Sequence, residues 1–120
     1  MSRYSEAVMD HFQSPRNWGK LDAPDRVGVA GVPGRSGYMV LQLNLADGRV
    51  SEARFQSHSC GATVASGSVL TELVLGRTLD ECRALTVDDL LAVLGGLPPD
   101  KGHCTGMALR ALRQAIDERE

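Results

Sequence analysis

The residues around Asp47-Gly48 constrain the fold of this chain most strongly. Over residues 39–45, apolar side chains occupy every second position, and residues 50–57 form a second strand-like segment after the Asp-Gly pair. An Asp-Gly pair between two such segments is a strong signal for a tight antiparallel hairpin. Val50 and the pair Ala53/Phe55 fall on opposite faces, so we expect a bulge or a loose start in the second strand.

The chain before the hairpin combines a helix, a loop and a strand. Tyr4, Val8 and Phe12 recur at four-residue spacing, which predicts an amphipathic helix over residues 5–13 that stops before Pro15. Turn-forming residues predict a loop over 16–25, and a short apolar run predicts an edge strand over 27–32. Residues 33–37 are expected to form a flexible loop.

After the hairpin the hydrophobic period becomes helical. A helix is predicted from Gly61 to a stop at Gly76, a short one from Thr78 through Cys82, and a third that Thr86 caps and Gly95-Gly96 ends. Residues 97–99 are expected to be an extended loop before a last helix from about 105 to 117. Because strands and helices are segregated, the predicted fold class is α+β with an antiparallel sheet.

Length and charge exclude several classes of protein. The 120 residues are enough for a single domain, 1–120, and too few for two. A formal net charge of -2 gives no electrostatic case for nucleic-acid binding. No apolar run is long enough to span a membrane, and the acid-containing N-terminus does not resemble a signal peptide, so we expect a cytoplasmic protein.

Two of the three cysteines stand at junctions where chemistry is plausible. Cys60 lies between the second hairpin strand and a helix, and His103-Cys104 lies just before the last helix. Free backbone N–H groups and the helix dipole favour a thiolate at a helix N-terminus. If the two junctions meet, Cys60, His103 and Cys104 supply two thiolates and an imidazole, which are ligands for soft metals.

Other interpretations of these residues stay open. A free cysteine often only packs in the core, and this is the expected role of Cys82. His11 is expected to be a capping or surface residue, whereas His58, two residues before Cys60, is an outside candidate for a fourth ligand. A soluble α+β domain with buried thiols and no bound metal is the simplest alternative.

The chain resembles the IscU/NifU N-terminal-type iron–sulfur cluster assembly scaffolds along essentially its whole length. The resemblance is collinear, and the Cys60–His103 separation is similar to that of IscU, without the insertion of SufU-type zinc-dependent sulfur acceptors. The segments that carry it are Val8-Met9-Asp10-His11-Phe12, Pro15-Arg16-Asn17, Gly19, Leu21-Asp22, Met39, Leu41-Gln42-Leu43, Phe55, Cys60-Gly61, Ala65-Ser66, Thr71-Glu72, Gly76, Leu79-Asp80-Glu81, Leu97-Pro98-Pro99, Lys101 and His103-Cys104.

The resemblance implies a three-stranded antiparallel sheet with helices packed on one face and a ligand site at one end. It implies that a cysteine desulfurase supplies sulfur and that iron or a [2Fe–2S] cluster is assembled and passed to client apo-proteins, with zinc as an alternative occupant. The segment Leu97, Pro98, Pro99 and Lys101 resembles the docking site for an Hsp70-type chaperone pair. Lys101 is also a candidate for assisting sulfur transfer.

The chain departs from the family pattern in the loop before the hairpin. Arg35 stands where the family has its first cluster cysteine, and Gly37 stands where it has an aspartate. Neither residue can ligate iron, since arginine stays protonated and glycine has no side chain. Cys60, His103 and Cys104 alone are one ligand short of a four-coordinate site.

Three outcomes fit this incomplete ligand set. A cluster could take its fourth ligand from His58, Ser36, a small thiol or a second protein. Zinc could bind the three residues plus water or a group from a partner. Arg35 could instead replace the metal by pairing with a thiolate, or it could be a solvated loop residue without a role.

The sequence therefore predicts a scaffold or carrier rather than an enzyme. One alternative is a cluster-free adaptor or regulator of the desulfurase machinery, favoured by Arg35 and Gly37. The other is a persulfide sulfur acceptor, for which Cys104 is the expected reactive thiol.

Overall fold

The structure is a computed structural model that describes residues 4–31 and 37–117. Arg35 and Ser36, and with them the predictions made for these two residues, lie outside the described ranges. In chain order the elements are α1 (Glu6–Gln13), β1 (Arg26–Ala30), β2 (Tyr38–Ala46), β3 (Arg49–His58), α2 (Gly61–Val74), α3 (Leu79–Arg83), α4 (Val87–Leu94), a 3₁₀ turn (Pro99–Lys101) and α5 (His103–Asp117).

The three strands form one antiparallel sheet, as predicted, and their order in it is β1-β2-β3. Asp47 and Gly48 both adopt positive φ, the conformation of a tight hairpin turn. The register shifts because Asn44 pairs with Glu52 while Leu45 pairs with Val50, which leaves Ser51 as an extra residue. This bulge explains the predicted phase change, and it lets Val50, Ala53 and Phe55 all be buried.

Helices α2 and α5 pack on the sheet, α2 against β3 and α5 against β1 and β2. Alternate residues of β2, namely Met39, Leu41 and Leu43, are fully buried beneath them. At Gly28 the backbone of α5 approaches β1 so closely that an added Cβ would lie 1.8 Å from the carbonyl oxygen of Ala111. Glycine is therefore required where the last helix crosses the first strand.

Local capping follows the sequence closely. Thr78 and Thr86 each form a complete capping box, with Glu81 and Asp89 as the reciprocal partners. Gly95 ends α4 in the left-handed conformation, at φ 73°. These short helices begin and end where the sequence predicted because side chains close to their ends satisfy the free backbone groups.

Three element boundaries differ from the predictions. The first strand is Arg26–Ala30 and ends before residue 32. The Leu97-Pro98 segment is extended as expected, but Pro99 starts a 3₁₀ turn instead of continuing the loop. The last helix begins at His103, so His103 and Cys104 lie within its first turn and not before it.

The buried face of α1 also differs from the predicted stripe. Val8 is fully buried, but Phe12 is 44% exposed and His11 only 7% exposed. Nδ1 of His11 lies 2.7 Å from the Ser68 hydroxyl on α2, so the imidazole packs between the helices with a polar partner. The expectation that His11 is a surface or capping residue is therefore wrong, because an internal hydrogen bond offsets its burial.

Each edge strand has a residue whose backbone is hydrogen-bonded from outside the sheet. On the outer edge of β3, the Gly19 N–H donates to the Phe55 carbonyl and the Phe55 N–H donates to the Asn17 carbonyl, each at 3.0 Å. On β1, the Val29 N–H donates to the side chain of Gln114 on α5. Across the described part of the chain, no helix is both long and apolar enough to cross a membrane.

Candidate functional site

Cys60 is the N-cap residue of α2, as its position at the strand-to-helix junction predicted. Its carbonyl accepts hydrogen bonds from the N–H groups of Thr63 and Val64 at the start of the helix. Its side chain makes no conventional cap; instead Sγ lies 3.7 Å from the Thr63 hydroxyl. The thiol therefore sits among the free N–H groups of a helix N-terminus, which favours its anionic form.

His103 and Cys104 arrive from the opposite side of the site, in the first turn of α5. Sγ of Cys104 lies 3.6 Å from Sγ of Cys60, and Nε2 of His103 lies 3.7 Å from Sγ of Cys104. The two junctions thus meet in space, which is the condition for Cys60, His103 and Cys104 to share a ligand. Two thiolates bound tetrahedrally to one zinc ion at about 2.3 Å lie about 3.8 Å apart, close to the observed sulfur–sulfur separation.

The two thiols have different surroundings. Cys60 is half-buried, whereas Cys104 is 0% exposed. Burial by itself would raise the pKa of Cys60, but hydrogen bonds from the backbone and hydroxyl of Thr63, from Cys104 and from the Ala62 N–H outweigh it and lower the pKa to about 7. For Cys104, burial raises the pKa above its ordinary value, and the bond it donates to Cys60 raises it further.

This asymmetry bears on which thiol reacts first. A thiolate is the reactive form, and a reagent must also reach it. Both conditions favour Cys60 over Cys104 in the metal-free protein, whereas the sequence suggested Cys104 as the reactive thiol, so the identity of the reactive thiol stays a prediction. Both cysteines stand next to a helix start in the sequence, and the sequence does not show which of them is covered by the fold.

The side chains of Cys60, Cys104 and His103 form a row with Cys104 in the middle, and they do not enclose a common point. Within residues 4–31 and 37–117, no group of three or more His, Cys, Asp or Glu side chains is arranged to hold a metal ion. The distance between the two Sγ atoms and the distance from Cys104 Sγ to Nε2 of the exposed His103 both suit shared coordination of one ion. The ligand set therefore stays a prediction.

An open pocket of about 470 Å³ adjoins Cys60. Gly37, Ser57, His58 and Ser59 line it together with the cysteine. Gly37 has a φ of +83°, and nothing lies within 4 Å of the position its Cβ would take. The ring of His58 is nearly parallel to that of Tyr38, with 6.1 Å between the ring centroids. His58 and Cys60 line the same pocket. Because it has no side chain, Gly37 leaves this part of the pocket open.

The segment proposed for partner docking precedes the site in the chain. Leu97 packs against the core while Pro99 is exposed in the 3₁₀ turn. Lys101, half-buried, acts on Cys104 electrostatically and opposes the rise in its pKa. This segment is therefore continuous with the thiol site, and a partner bound there would lie beside it.

The sequence did not point to Thr63, which bonds to Cys60, or to Phe12, which lies against Gly61. Thr63 is fully buried and supplies both backbone and hydroxyl hydrogen bonds to the cysteine. Its position three residues after an N-cap is a signal that could have identified it. Phe12 places its ring about 3.1 Å from the position of a Gly61 Cβ, a contact between distant segments that no local pattern predicts. Cys82 is fully buried and joins the core, as expected.

Sequence comparison identifies relatives over nearly the full chain. The family described as the NifU-like N terminal domain matches residues 3–119. The iron-sulfur cluster assembly scaffold protein IscU 1 of Archaeoglobus fulgidus is 42% identical over 113 residues, covering 94% of this chain and 74% of the relative. The scaffold protein IscU of Escherichia coli is 41% identical over 117 residues, covering 94% of this chain and 91% of the relative.

Structure comparison agrees on the fold. A NifU-like protein (N-terminal) from Brucella abortus superposes with a TM-score of 0.73 at 21% identity, covering 95% of this chain and 92% of the other. At this identity the likeness supports the arrangement of strands and helices alone.

Proposed function

Because the chain belongs to the NifU-like N terminal domain family, we propose that it is an iron–sulfur assembly scaffold that holds its cargo with Cys60, His103 and Cys104. Scaffold relatives at 41–42% identity support a carrier role and not an enzymatic one. The cargo is iron or a [2Fe–2S] cluster, with zinc as the alternative occupant of the same ligands. The observation that carries the ligand assignment is the 3.6 Å approach of the two Sγ atoms, with the imidazole 3.7 Å from one of them.

The incomplete ligand set suits a site that exchanges its cargo. Three protein ligands leave one position of a four-coordinate ion open to a second group. The pocket beside Cys60 gives that group a place to enter, and His58 on its wall is the candidate from this chain. A small thiol or a group from a partner would fill the same position. An open coordination position also gives a client thiolate a point of attack when cargo is passed on.

The proposed partners follow from the cargo. A cysteine desulfurase would supply sulfur at the Cys60 end of the site, and client apo-proteins would receive the cluster. An Hsp70-type chaperone pair would bind Leu97, Pro98, Pro99 and Lys101. Because the charge of Lys101 lowers the pKa of Cys104, a partner that binds Lys101 would change the electrostatic environment of that ligand.

A second candidate function is a persulfide sulfur acceptor without a cluster. The observation that favours it is the half-buried Cys60 with its pKa lowered to about 7, since an accessible thiolate attacks sulfane sulfur readily. In this version the protein stimulates a desulfurase and stays colourless.

Anaerobic reconstitution with iron, cysteine and a cysteine desulfurase separates these functions. Visible absorbance and analysis of iron and sulfide would be compared for wild type, Cys60→Ser, Cys104→Ser and the control Cys82→Ala, which removes the third thiol away from the site. We expect wild type and Cys82→Ala to acquire iron and sulfide and both Ser variants to lose them.

A colourless wild type would overturn the cluster-scaffold proposal. In that case Arg35→Cys/Gly37→Asp should gain a cluster if only the missing ligands are at fault. Desulfurase turnover that rises with wild type and falls with Cys60→Ser would then support the sulfur-acceptor function.

A further inference from the structure

The thiol pair at the site combines one accessible sulfur with one covered sulfur. Cys60 lines an open pocket and is half-buried, whereas Cys104 lies behind it, 0% exposed. The two Sγ atoms are 3.6 Å apart. A small sulfur donor that enters the pocket therefore meets Cys60 first, and Cys104 can act only on what has already been attached to Cys60.

We infer that this chain releases sulfide from a persulfide by itself, with Cys60 as the attacking thiol and Cys104 as the resolving thiol. The inference deepens the proposed function and rests on it for the view that sulfur is part of the cargo. It does not require iron. It assigns the two thiols consecutive roles in one reaction in addition to their shared role as ligands.

The first step is transfer of sulfane sulfur from a persulfide donor, R–S–SH. The Cys60 thiolate attacks the terminal sulfur, a new S–S bond forms on Cys60, the donor S–S bond breaks, and the donor leaves as the thiolate R–S⁻. Cys60 now carries a persulfide, and no net oxidation of the protein has occurred. The pocket beside Cys60 has room for the added sulfur atom.

The second step is resolution within the chain. The Cys104 thiol gives up its proton and its Sγ attacks Sγ of the Cys60 persulfide. A Cys60–Cys104 disulfide forms, the S–S bond within the persulfide breaks, and the terminal sulfur takes up the proton and departs as hydrogen sulfide into the open pocket. The two protein thiols supply two electrons, and these reduce the sulfane sulfur to sulfide. The gap between the Sγ atoms must shorten from 3.6 Å to the disulfide bond length of about 2.0 Å.

Thiol–disulfide exchange of this kind needs an attacking thiolate that can approach the sulfur to which the leaving atom is bound. Cys104 is held against Cys60 by the packing of α5 and α2, so the attack is intramolecular. A dithiol reductant would return the disulfide to the starting state for a further cycle.

A single-turnover experiment with glutathione persulfide, without iron, desulfurase or added reductant, tests the inference. Reduced, chelator-treated protein would be mixed with the donor, sulfide measured, and the intact mass determined. Wild type and Cys82→Ala should release one sulfide per chain and lose the mass of two hydrogen atoms. Cys104→Ser and Cys104→Ala should instead gain the mass of one sulfur atom on Cys60 and release no sulfide above the donor's background.

Wild type that retains the added sulfur and releases no sulfide would overturn the inference, as would sulfide release by the Cys104 variants equal to that of wild type. Circular dichroism spectra and thermal unfolding of each variant show whether it is folded, and having two substitutions at Cys104 keeps the test decisive if one of them unfolds. Failure here leaves cluster reconstitution unaffected, and a colourless reconstitution leaves sulfide release unaffected, so the two proposals fail separately.

Discussion

Sγ of Cys60 lies 3.6 Å from Sγ of Cys104, yet the first thiol faces a pocket and the second is completely covered. One cysteine caps a helix that follows the sheet, and the other begins the last helix of the fold. The proposed function rests on their closeness, and their different exposure is the basis for assigning them different roles.

Alkylation of the reduced, metal-free protein should modify Cys60 well before Cys104. Because the pKa of Cys60 is lowered to about 7, its rate should rise with pH through a midpoint near that value and fall on the acid side as the thiolate is protonated. Iodoacetamide labelling over a range of pH, followed by peptide mass mapping, measures both rates. Faster labelling of Cys104 would contradict the assignment.

Thr63→Val should raise the pKa of Cys60 and slow its alkylation at neutral pH. The change removes the hydroxyl that lies 3.7 Å from Sγ but keeps the shape of the side chain and the backbone N–H. The same labelling experiment detects the shift of the midpoint towards higher pH. Thr71→Val, on the same helix but with its hydroxyl bonded to the Ser68 carbonyl, is the matched control and should leave the midpoint unchanged.

His11 should make the folded protein less stable in mild acid. Burial, followed by the nearby Arg16, lowers the pKa of His11 in the folded state below that of the unfolded chain. The unfolded state then binds the proton more tightly, so this contribution to stability is complete above about pH 6.5 and is lost as the pH falls towards the lower folded value. Urea unfolding at neutral and acid pH should show a smaller acid loss for His11→Gln than for wild type.

The exposed histidine His58 provides the comparison for that measurement. His58→Gln should lose as much free energy of unfolding between neutral and acid pH as wild type does. If wild type, His58→Gln and His11→Gln all lose the same amount, His11 does not cause the loss of stability in acid.

Gly28→Ala should destabilise the fold by about 2–3 kcal/mol, because the added methyl must displace the backbone of α5. Its Cβ would otherwise lie 1.8 Å from the Ala111 carbonyl oxygen. Gly106→Ala in α5 is the control: the nearest atom is 3.6 Å away, and alanine favours a helix over glycine by about 0.5–1 kcal/mol. Denaturant unfolding should show a lower free energy of unfolding for Gly28→Ala and a higher one for Gly106→Ala. An unchanged free energy of unfolding in both variants would refute the close approach of α5 to Gly28.

Local signals in the sequence were sufficient for most of the fold. The Asp47-Gly48 turn, the caps at Thr78 and Thr86 and the stop at Gly95 depend on neighbours within a few residues, and each is confirmed. The phase of residues 50–57 predicts a bulge or a loose strand start, and the structure has the bulge, with Ser51 as the extra residue. Such features are predictable because their partners are adjacent in the chain.

The remainder depends on contacts between distant segments. The burial of His11 requires Ser68, and the unequal exposure of Cys60 and Cys104 requires the packing of α5 behind α2. The sequence placed both cysteines at helix starts but could not show which one was covered. It also gave no sign that Asn17 and Gly19 pair with Phe55.

That pairing, together with the contact of Gln114 on the opposite strand, limits how this protein can meet another chain. An incoming strand at β3 would find the amide and carbonyl of Phe55 already bonded, and at β1 it would meet a helix side chain on the Val29 amide. Sheet extension is therefore blocked at these positions, which also protects the chain from edge-to-edge aggregation. A chain that approaches either edge at these positions would therefore meet side chains or paired backbone groups, and any specificity of its binding there would come from side-chain contacts.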